Sequence, residues 1–399
     1  MILPIIEILV TNANIFSYND YIECWRNLCS NKKNYLGILF DKFYPQLFQK
    51  INDYFNSIID HKNEHHTIDN EDLEGVKLSI DVINNILQNF HLYMMNYLEN
   101  LTVLLTEKFN FGLSELCNQS ISTSFINLVR CMRNCFKNKA AIHKQYAKGF
   151  IDILIKSLYH SNFDETSNEE QQIKALNDII MEISEVFLDH EEIELISDLI
   201  IKIFLRNFQN IDKKELSLKS ETIDEDEVDL LRAEIAEQIK LLMALCSLIG
   251  SLLKTHKNLN KNLIKRLLND IVPNYIDKSR QNELNYFSVS TIDDILEFID
   301  SSFFEEQKQF IFNYLISHTK NNSIKIIQAC FYGLGIYAEK IETNEIMVEQ
   351  IKNEVITKLK IPAKKNFAIG FMRDNIVSCF GKLIRFQNDK LKEWEVKKK

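Results

Sequence analysis

Apolar residues recur along this chain at steps that alternate between three and four positions. The first clear series consists of Leu73, Val76, Ile80, Ile83, Leu87 and Phe90. Because such steps bring side chains to one face of an α-helix, the series predicts an amphipathic helix with a buried apolar face. At least six further series follow, with midpoints roughly 40 to 60 residues apart, and second apolar helices such as Leu259–Asp277 lie between them.

Two segments near the end of the chain resemble each other. Ser323–Ile341 and Arg373–Lys390 each predict one long amphipathic helix, and Gly333 and Gly381 occupy matching places 48 residues apart. A fixed period in this range indicates stacked helical repeats. Two helices per unit of about 40 to 47 residues is the HEAT/armadillo pattern.

We therefore predict an all-α fold, a HEAT/armadillo-like helical-repeat solenoid of about seven to eight helix pairs. It is expected to extend over residues 1–399 as a single, partial array. Residues 1–60 would be incomplete leading repeats, because the apolar segment at the start resembles the second helix of a repeat whose first helix is absent.

Composition supports this prediction. Nine glycines and four prolines among 399 residues leave little material for tight turns, and strand-like alternation is missing, which argues against a sheet protein. No linker rich in Gly, Ser or Pro separates two halves. The eight cysteines include no CxxC pair, which favours reduced thiols in an intracellular protein. No apolar run reaches the roughly 18 residues that span a bilayer.

The net charge of -9 is unevenly distributed. Glu221–Gln238 carries eight acidic residues against one arginine, and we expect 211–229 to be an acidic loop or insertion. Its central acids are Asp224, Glu225, Asp226 and Glu227. An acidic chain without a basic stripe is a poor nucleic-acid binder, so basic protein partners fit better. Alternatively, these acids belong to solvated loops and helix starts, where carboxylates favour the helix dipole. Residues 389–399 form a basic tail.

Three groups of residues have the types that carry chemistry, and each has a simpler explanation. Gly333, Gly335 and Ala338 match a GxGxxA dinucleotide fingerprint, but the helical period runs through them without the strand that the fingerprint requires. Small residues at these places instead predict the close approach of another helix. The histidines of 61–66 lie in a polar segment, which we interpret as a solvated loop rather than a metal site. Cys131 and Cys135 are interpreted as apolar packing groups.

We therefore predict a protein that is not an enzyme and binds no cofactor or metal. An α-helical enzyme would require a clustered polar pocket, and none is evident in the sequence.

Three consecutive motifs carry a resemblance to a known family. They are Asp293, Asp294 and Glu297; Gln328, Ala329, Tyr332, Gly333, Leu334, Gly335 and Ala338; and Asn375, Ser378, Gly381 and Lys382. In order and spacing they resemble the D-D-x-x-E, Q-A-x-x-Y-G-L-G-x-x-A and N-x-x-S-x-x-G-K helices in the C-terminal half of importin-beta-family nuclear transport receptors. The similarity is to the karyopherin-beta-3 (importin five) branch, and it is strongest over residues 230–388. These motifs are structural signatures rather than reaction chemistry.

The resemblance implies a segment of a nuclear import receptor that binds basic cargo, such as ribosomal proteins or histones, and nucleoporins. It also implies a place in the cytoplasm, the nucleus and the nuclear pore. Ran GTPase would bind only through an N-terminal half that this sequence does not contain. Candidate cargo-binding acids on the second helices of the repeats are Asp270, Asp277, Glu349 and Glu354. The alternative is a HEAT-repeat scaffold that holds a multiprotein complex together without a transport role.

Overall fold

The computed structural model describes residues 6–9, 17–31, 36–65, 68–111, 115–136, 140–160, 166–184, 186–219, 224–276, 282–360, 367–387 and 390–391. Within these residues the chain is helical and contains no strand. The all-α prediction is therefore confirmed. The chain divides into two compact units, Met1–Phe187 and Leu188–Lys399, which we call the N-terminal and C-terminal units.

Seven helices of the N-terminal unit are described. They are α1 (Tyr18–Asn31), α2 (Phe40–His65), α3 (Asn70–Asn89), α4 (Leu98–Phe111), α5 (Glu115–Cys135), α6 (Ala140–His160) and α7 (Thr166–Ile183), with short 3-10 turns at Gly37–Leu39 and His91–Tyr93. Alternate helices stack on one another, α1 on α3, α3 on α5 and α5 on α7, while α4 and α6 form a second layer against them. This alternation is the helix-pair repeat that the sequence predicts.

The C-terminal unit repeats the arrangement. Its helices are α8 (His190–Ser217), α9 (Glu225–His256), α10 (Lys261–Arg266), α11 (Asn282–Phe298), α12 (Lys308–His318), α13 (Ile324–Lys340), α14 (Glu345–Leu359) and α15 (Phe367–Phe386). A π-helical segment, Leu267–Ile276, follows α10, and 3-10 turns lie at Lys257–Asn260, Ser301–Phe303 and Glu305–Gln307. Helices α9, α11, α13 and α15 stack in one layer, and α8 with α10 and α12 with α14 make contacts in the other.

The apolar series of the sequence form the buried faces of these helices. In α3 and its C-cap, Val76, Ile80, Ile83, Leu87 and Phe90 are buried. The helical prediction for 323–341 is also confirmed, because Gly333 and Gly335 lie within α13 and not in a turn after a strand. The same periodicity that predicts each helix thus supplies the surface on which the next helix stacks.

Helix α9 is long and apolar enough to span a membrane, but 56% of its most apolar 18-residue stretch is buried inside the protein. That burial fits a core helix that packs between α8 and α11.

Acidic side chains start several helices. Asp189 accepts a hydrogen bond from the backbone N–H of Glu192 at 3.0 Å, and the Glu192 side chain accepts one from the Asp189 N–H at 2.7 Å, which forms a capping box for α8. Asp224 caps α9 by accepting from the N–H of Glu227 at 2.8 Å. Carboxylates at these positions satisfy free N–H groups and interact favourably with the helix dipole.

The segment 211–229 was predicted as an acidic loop, but its described residues are mostly helical. Residues 211–217 belong to α8, and Glu225, Asp226 and Glu227 form the exposed first turn of α9. The alternative interpretation of these acids as a helix start therefore describes them better. The histidine segment also differs from its prediction as a loop, because α2 continues to His65 and His61 lies in this helix. Of the tail 389–399, the structure describes only residues 390–391.

The seven cysteines whose side chains are described are all free. Among the described residues no group of three or more His, Cys, Asp or Glu side chains has an arrangement that could hold a metal ion.

Candidate functional site

A polar cavity of about 520 Å³ lies on the C-terminal unit, between α11, α13 and α15. It is lined by Tyr286, Ser290, Asp293, Asp294 and Glu297 of α11, by Lys325, Gln328, Ala329 and Tyr332 of α13, and by Asn375 of α15. We call it the acidic pocket. Its lining residues recur every three or four positions along α11 and α13, so each helix contributes one face.

Asp293 is the most buried charged group of the acidic pocket, with a relative exposure of 6%. Its Oδ1 atom has no hydrogen-bond partner. This oxygen lies against Gly333 of α13, where a Cβ atom would be only 2.0 Å away. Burial raises the pKa of the Asp293 carboxyl well above its usual range, and the neighbouring charges of Asp294 and Glu297 raise it further.

Asp294 points towards a different helix. A Cβ atom on Gly250 of α9 would lie 2.6 Å from Asp294 Oδ2, so a second glycine makes room for a second carboxyl. Burial and then the charge of Glu297 raise the pKa of Asp294 to about 6, against a smaller opposing effect of Lys254. The two adjacent aspartates of α11 thus occupy niches opened by glycines on both neighbouring helices.

Glu297 forms the outer part of the acidic pocket. The Tyr332 hydroxyl donates a hydrogen bond to Glu297 Oε2 at 2.7 Å, and Lys340 Nζ donates to the Glu297 backbone carbonyl. Tyr332 and Tyr286 are 41% and 39% exposed, so two aromatic rings border the opening. Carboxylates with aromatic faces beside them suit a cationic side chain, which can make charged hydrogen bonds and cation–π contacts at once.

The contact between α13 and α15 positions the third wall of the acidic pocket. Asn375 Nδ2 donates a hydrogen bond to the backbone carbonyl of Gln328 at 3.1 Å. Gly335 allows α15 to come close, because a Cβ atom there would lie 3.3 Å from the backbone Cα of Cys379. The prediction that small residues in this helix admit a neighbouring helix is confirmed at Gly335. At Gly333 the neighbour is a carboxyl side chain, and at Gly381 a Cβ atom would meet nothing within 4 Å.

The three described acids among the cargo-binding candidates do not line the acidic pocket. Asp270 is exposed on the π-helical segment, and Asp277 lies outside the described residues. Glu349 forms an ion pair with Lys352 at 2.5 Å. Glu354 accepts a hydrogen bond from Thr319 Oγ1 at 3.1 Å. Their role in binding stays a prediction.

The pocket is instead formed by residues that the sequence analysis treated as structural signatures. One signal in the sequence points to Asp293, because it stands four positions after Val289 and three before Leu296, both buried. An acid within an apolar stripe is a buried polar group that requires an explanation.

Comparisons with known proteins show that this chain has a fold similar to that of solved structures. No family model matches the chain. No curated protein matches it either. Among solved structures, Kap121p bound to Nup53p has a TM-score of 0.75 at 11% identity and covers 98% of this chain and 37% of that chain. The karyopherin Kap121p bound to the SUMO protease Ulp1p has a TM-score of 0.72 at 14% identity, with the same coverages of 98% and 37%. Kap121p bound to RanGTP gives 0.73 at 12% identity, with 97% and 37% covered.

The chain therefore has the helical-repeat fold of a karyopherin, and the resemblance stated from the sequence is confirmed at the level of the fold. It spans 37% of the length of the Kap121p chains in these three structures.

Proposed function

We propose that this chain is a segment of a karyopherin-like nuclear import receptor, which binds basic cargo at the acidic pocket without catalysis. The observation that carries the proposal is the buried carboxyl of Asp293, whose Oδ1 has no partner, beside Asp294 and Glu297 in an open cavity. The karyopherin fold supports it, because Kap121p with this fold has been crystallised with several protein partners.

An unsatisfied carboxyl acceptor in the acidic pocket favours the binding of a cationic side chain. A buried acceptor without a partner costs about 1–3 kcal/mol, and a lysine or arginine that enters the pocket supplies the missing donors. Coulomb attraction is also stronger there than at an exposed surface, because the carboxyls are partly removed from water. We propose Asp270, Asp277, Glu349 and Glu354 as additional, weaker contacts.

The cargo class follows from the charge. Lys-rich and Arg-rich proteins, such as ribosomal proteins and histones, are the proposed cargo, and nucleoporins are proposed partners during passage between cytoplasm and nucleus through the nuclear pore. Ran is proposed to act through parts of the receptor that this sequence does not contain.

The test is calorimetric titration of the protein with a Lys-rich peptide of about ten residues at low ionic strength. We expect the double substitution Asp294→Asn with Glu297→Gln to weaken binding about tenfold, equivalent to about 1.4 kcal/mol. The matched control is Glu225→Gln with Asp226→Asn, which removes the same charge from the exposed start of α9 and is expected to weaken binding by less than about twofold.

Equal effects of the two double variants would contradict binding at the acidic pocket, because long-range charge alone would then explain the attraction. No measurable binding by the unsubstituted protein would contradict the proposed function itself.

A further inference from the structure

We infer that a cationic side chain entering the acidic pocket displaces a proton from the carboxyl cluster of Asp293, Asp294 and Glu297, so that cargo binding is coupled to proton release. This inference rests on the proposed function and adds to it a dependence on pH.

Three acids of α11 crowd around the acidic pocket. Asp293 and Asp294 each lie about one turn before Glu297, and all three residues line the cavity. Carboxyl groups as close together as these, in a partly buried site, do not all ionise at once. Asp293 is 6% exposed and its Oδ1 accepts no hydrogen bond, which removes the interactions that normally stabilise a carboxylate. At least one proton therefore stays on the empty cluster at pH values where free carboxyls have lost theirs.

Among the described residues, the lysines near the cluster do not pair directly with its carboxyls. Lys254 is the nearby cation of α9, and α13 carries Lys325 at the pocket and Lys340, which donates to the Glu297 backbone carbonyl. All three lysines are exposed, and among the described residues no ion pair joins a basic side chain to Asp293, Asp294 or Glu297.

The remaining groups around the cluster add no positive charge to it. On α13, Cys330 lies near Asp293, and Tyr332 donates its proton to Glu297. On α9, Cys246 lies near Asp294. The π-helical segment that also packs on α11 contributes Asp270, an exposed acid. An incoming ammonium or guanidinium group therefore supplies a direct ion pair that the described lysines do not make with these carboxyls.

Cation binding and proton binding at the cluster are thermodynamically linked. A cation in the pocket favours the ionised cluster, so the proton held in the empty state passes to solvent when the cation binds. The pKa of Asp294 is about 6 and that of Asp293 is raised well above its usual range, so the empty cluster holds a proton at pH values where exposed carboxyls have lost theirs. Affinity then rises with pH, by up to about tenfold per pH unit where one proton is released, and levels off once the empty cluster is ionised.

The experiment is calorimetric titration with a Lys-rich peptide that has an acetylated N-terminus and no histidine, in Pipes and in ACES buffer at one pH and ionic strength. The two buffers differ in ionisation enthalpy, so the difference in observed heat counts the protons released. We expect close to one proton per peptide near pH 6.5, and affinity that rises about threefold to tenfold per pH unit. Asp293→Asn is expected to bind more weakly and to release fewer protons, whereas the control Asp226→Asn retains the release.

Peptide binding without buffer-dependent heat would overturn the inference and leave the proposed function standing. Absence of peptide binding would instead count against the proposed function. If Asp293→Asn does not fold, the two-buffer measurement on the unsubstituted protein still decides the matter, and Asp294→Asn serves as the second variant.

Discussion

A glycine and an aspartate 40 positions apart in the chain determine the chemistry of the acidic pocket. Gly333 has no side chain, so the carboxyl of Asp293 occupies the space that a Cβ would fill. The carboxyl thereby leaves water without gaining a hydrogen bond for Oδ1. A protein retains such an unfavourable group where it has a use, and a cation that enters the pocket would supply the partner.

The burial of Asp293 makes the stability of the protein depend on pH in a direction opposite to that of a salt-bridged carboxyl. Its pKa is raised in the folded state, so the folded protein keeps a proton that the unfolded chain loses above about pH 4. Stability is therefore expected to fall as pH rises, by up to about 1.4 kcal/mol per pH unit for this one group. The neutral variant Asp293→Asn should remove this slope and exceed the unsubstituted protein in stability by more at pH 8 than at pH 5.

Urea unfolding at pH 5, 6.5 and 8 measures the effect. The exposed residue Asp374 of α15 provides the control, since Asp374→Asn makes the same chemical change outside the pocket. Parallel stability curves for the unsubstituted protein and Asp293→Asn would show that Asp293 ionises normally, contrary to this expectation.

At the scale of helices, the contact between α13 and α15 is the most extensive one described in the C-terminal unit. Gly335 brings the backbone of α13 near Cys379, and the Gln387 side chain then donates a hydrogen bond to the carbonyl of Ala338 at 2.7 Å. This contact also carries Asn375 to the acidic pocket. The packing of two helices therefore determines the shape of the site.

Gly335→Leu is expected to force α13 and α15 apart, because the new Cβ would already lie 3.3 Å from a backbone atom. Overpacking of this kind costs about 1–3 kcal/mol. Gly381→Leu is the matched control, since it makes the same exchange within α15 where a Cβ meets nothing within 4 Å, and it is expected to be neutral or slightly stabilising. Thermal unfolding of the two variants would give the comparison, and equal melting temperatures would argue against a close contact at Gly335.

At the scale of the whole molecule, an acidic chain of net charge -9 presents a karyopherin fold over part of the length of Kap121p. The net charge favours approach by basic proteins from a distance, whereas the acidic pocket would retain them once bound. These two contributions are expected to differ in their sensitivity to salt.

Stopped-flow binding of a Lys-rich peptide should separate them. Raising the salt concentration from about 0.05 to 0.3 M is expected to slow association at least fivefold, because exposed charges are screened. Neutralising Glu225, Asp226 and Glu227 together should mainly slow association, while Asp294→Asn should mainly speed dissociation. Tight binding of one folded partner that salt does not change would favour the scaffold alternative over a transport receptor.

The local pattern of residue types predicted much of the fold of this molecule. The apolar periodicity determined the helices and the sparse Gly and Pro excluded a sheet, because both act within a few turns of chain. The position of Asp293 within an apolar stripe also carried a signal of its burial, although the burial of Asp293 was not predicted. The sequence also identified the signature residues of α11, α13 and α15, although it assigned them a structural role only.

The sequence by itself determined an all-helical repeat protein with an excess of acidic residues. Helix formation depends on residues that are close together in the chain, and net charge is a simple sum over the residues. Only the tertiary structure decided which acids are removed from water. Asp293 is buried because Gly333 of another helix faces it, and Asp294 is half-buried against Gly250. Such pairings are made by helices that meet in space, and burial and electrostatic coupling arise only there.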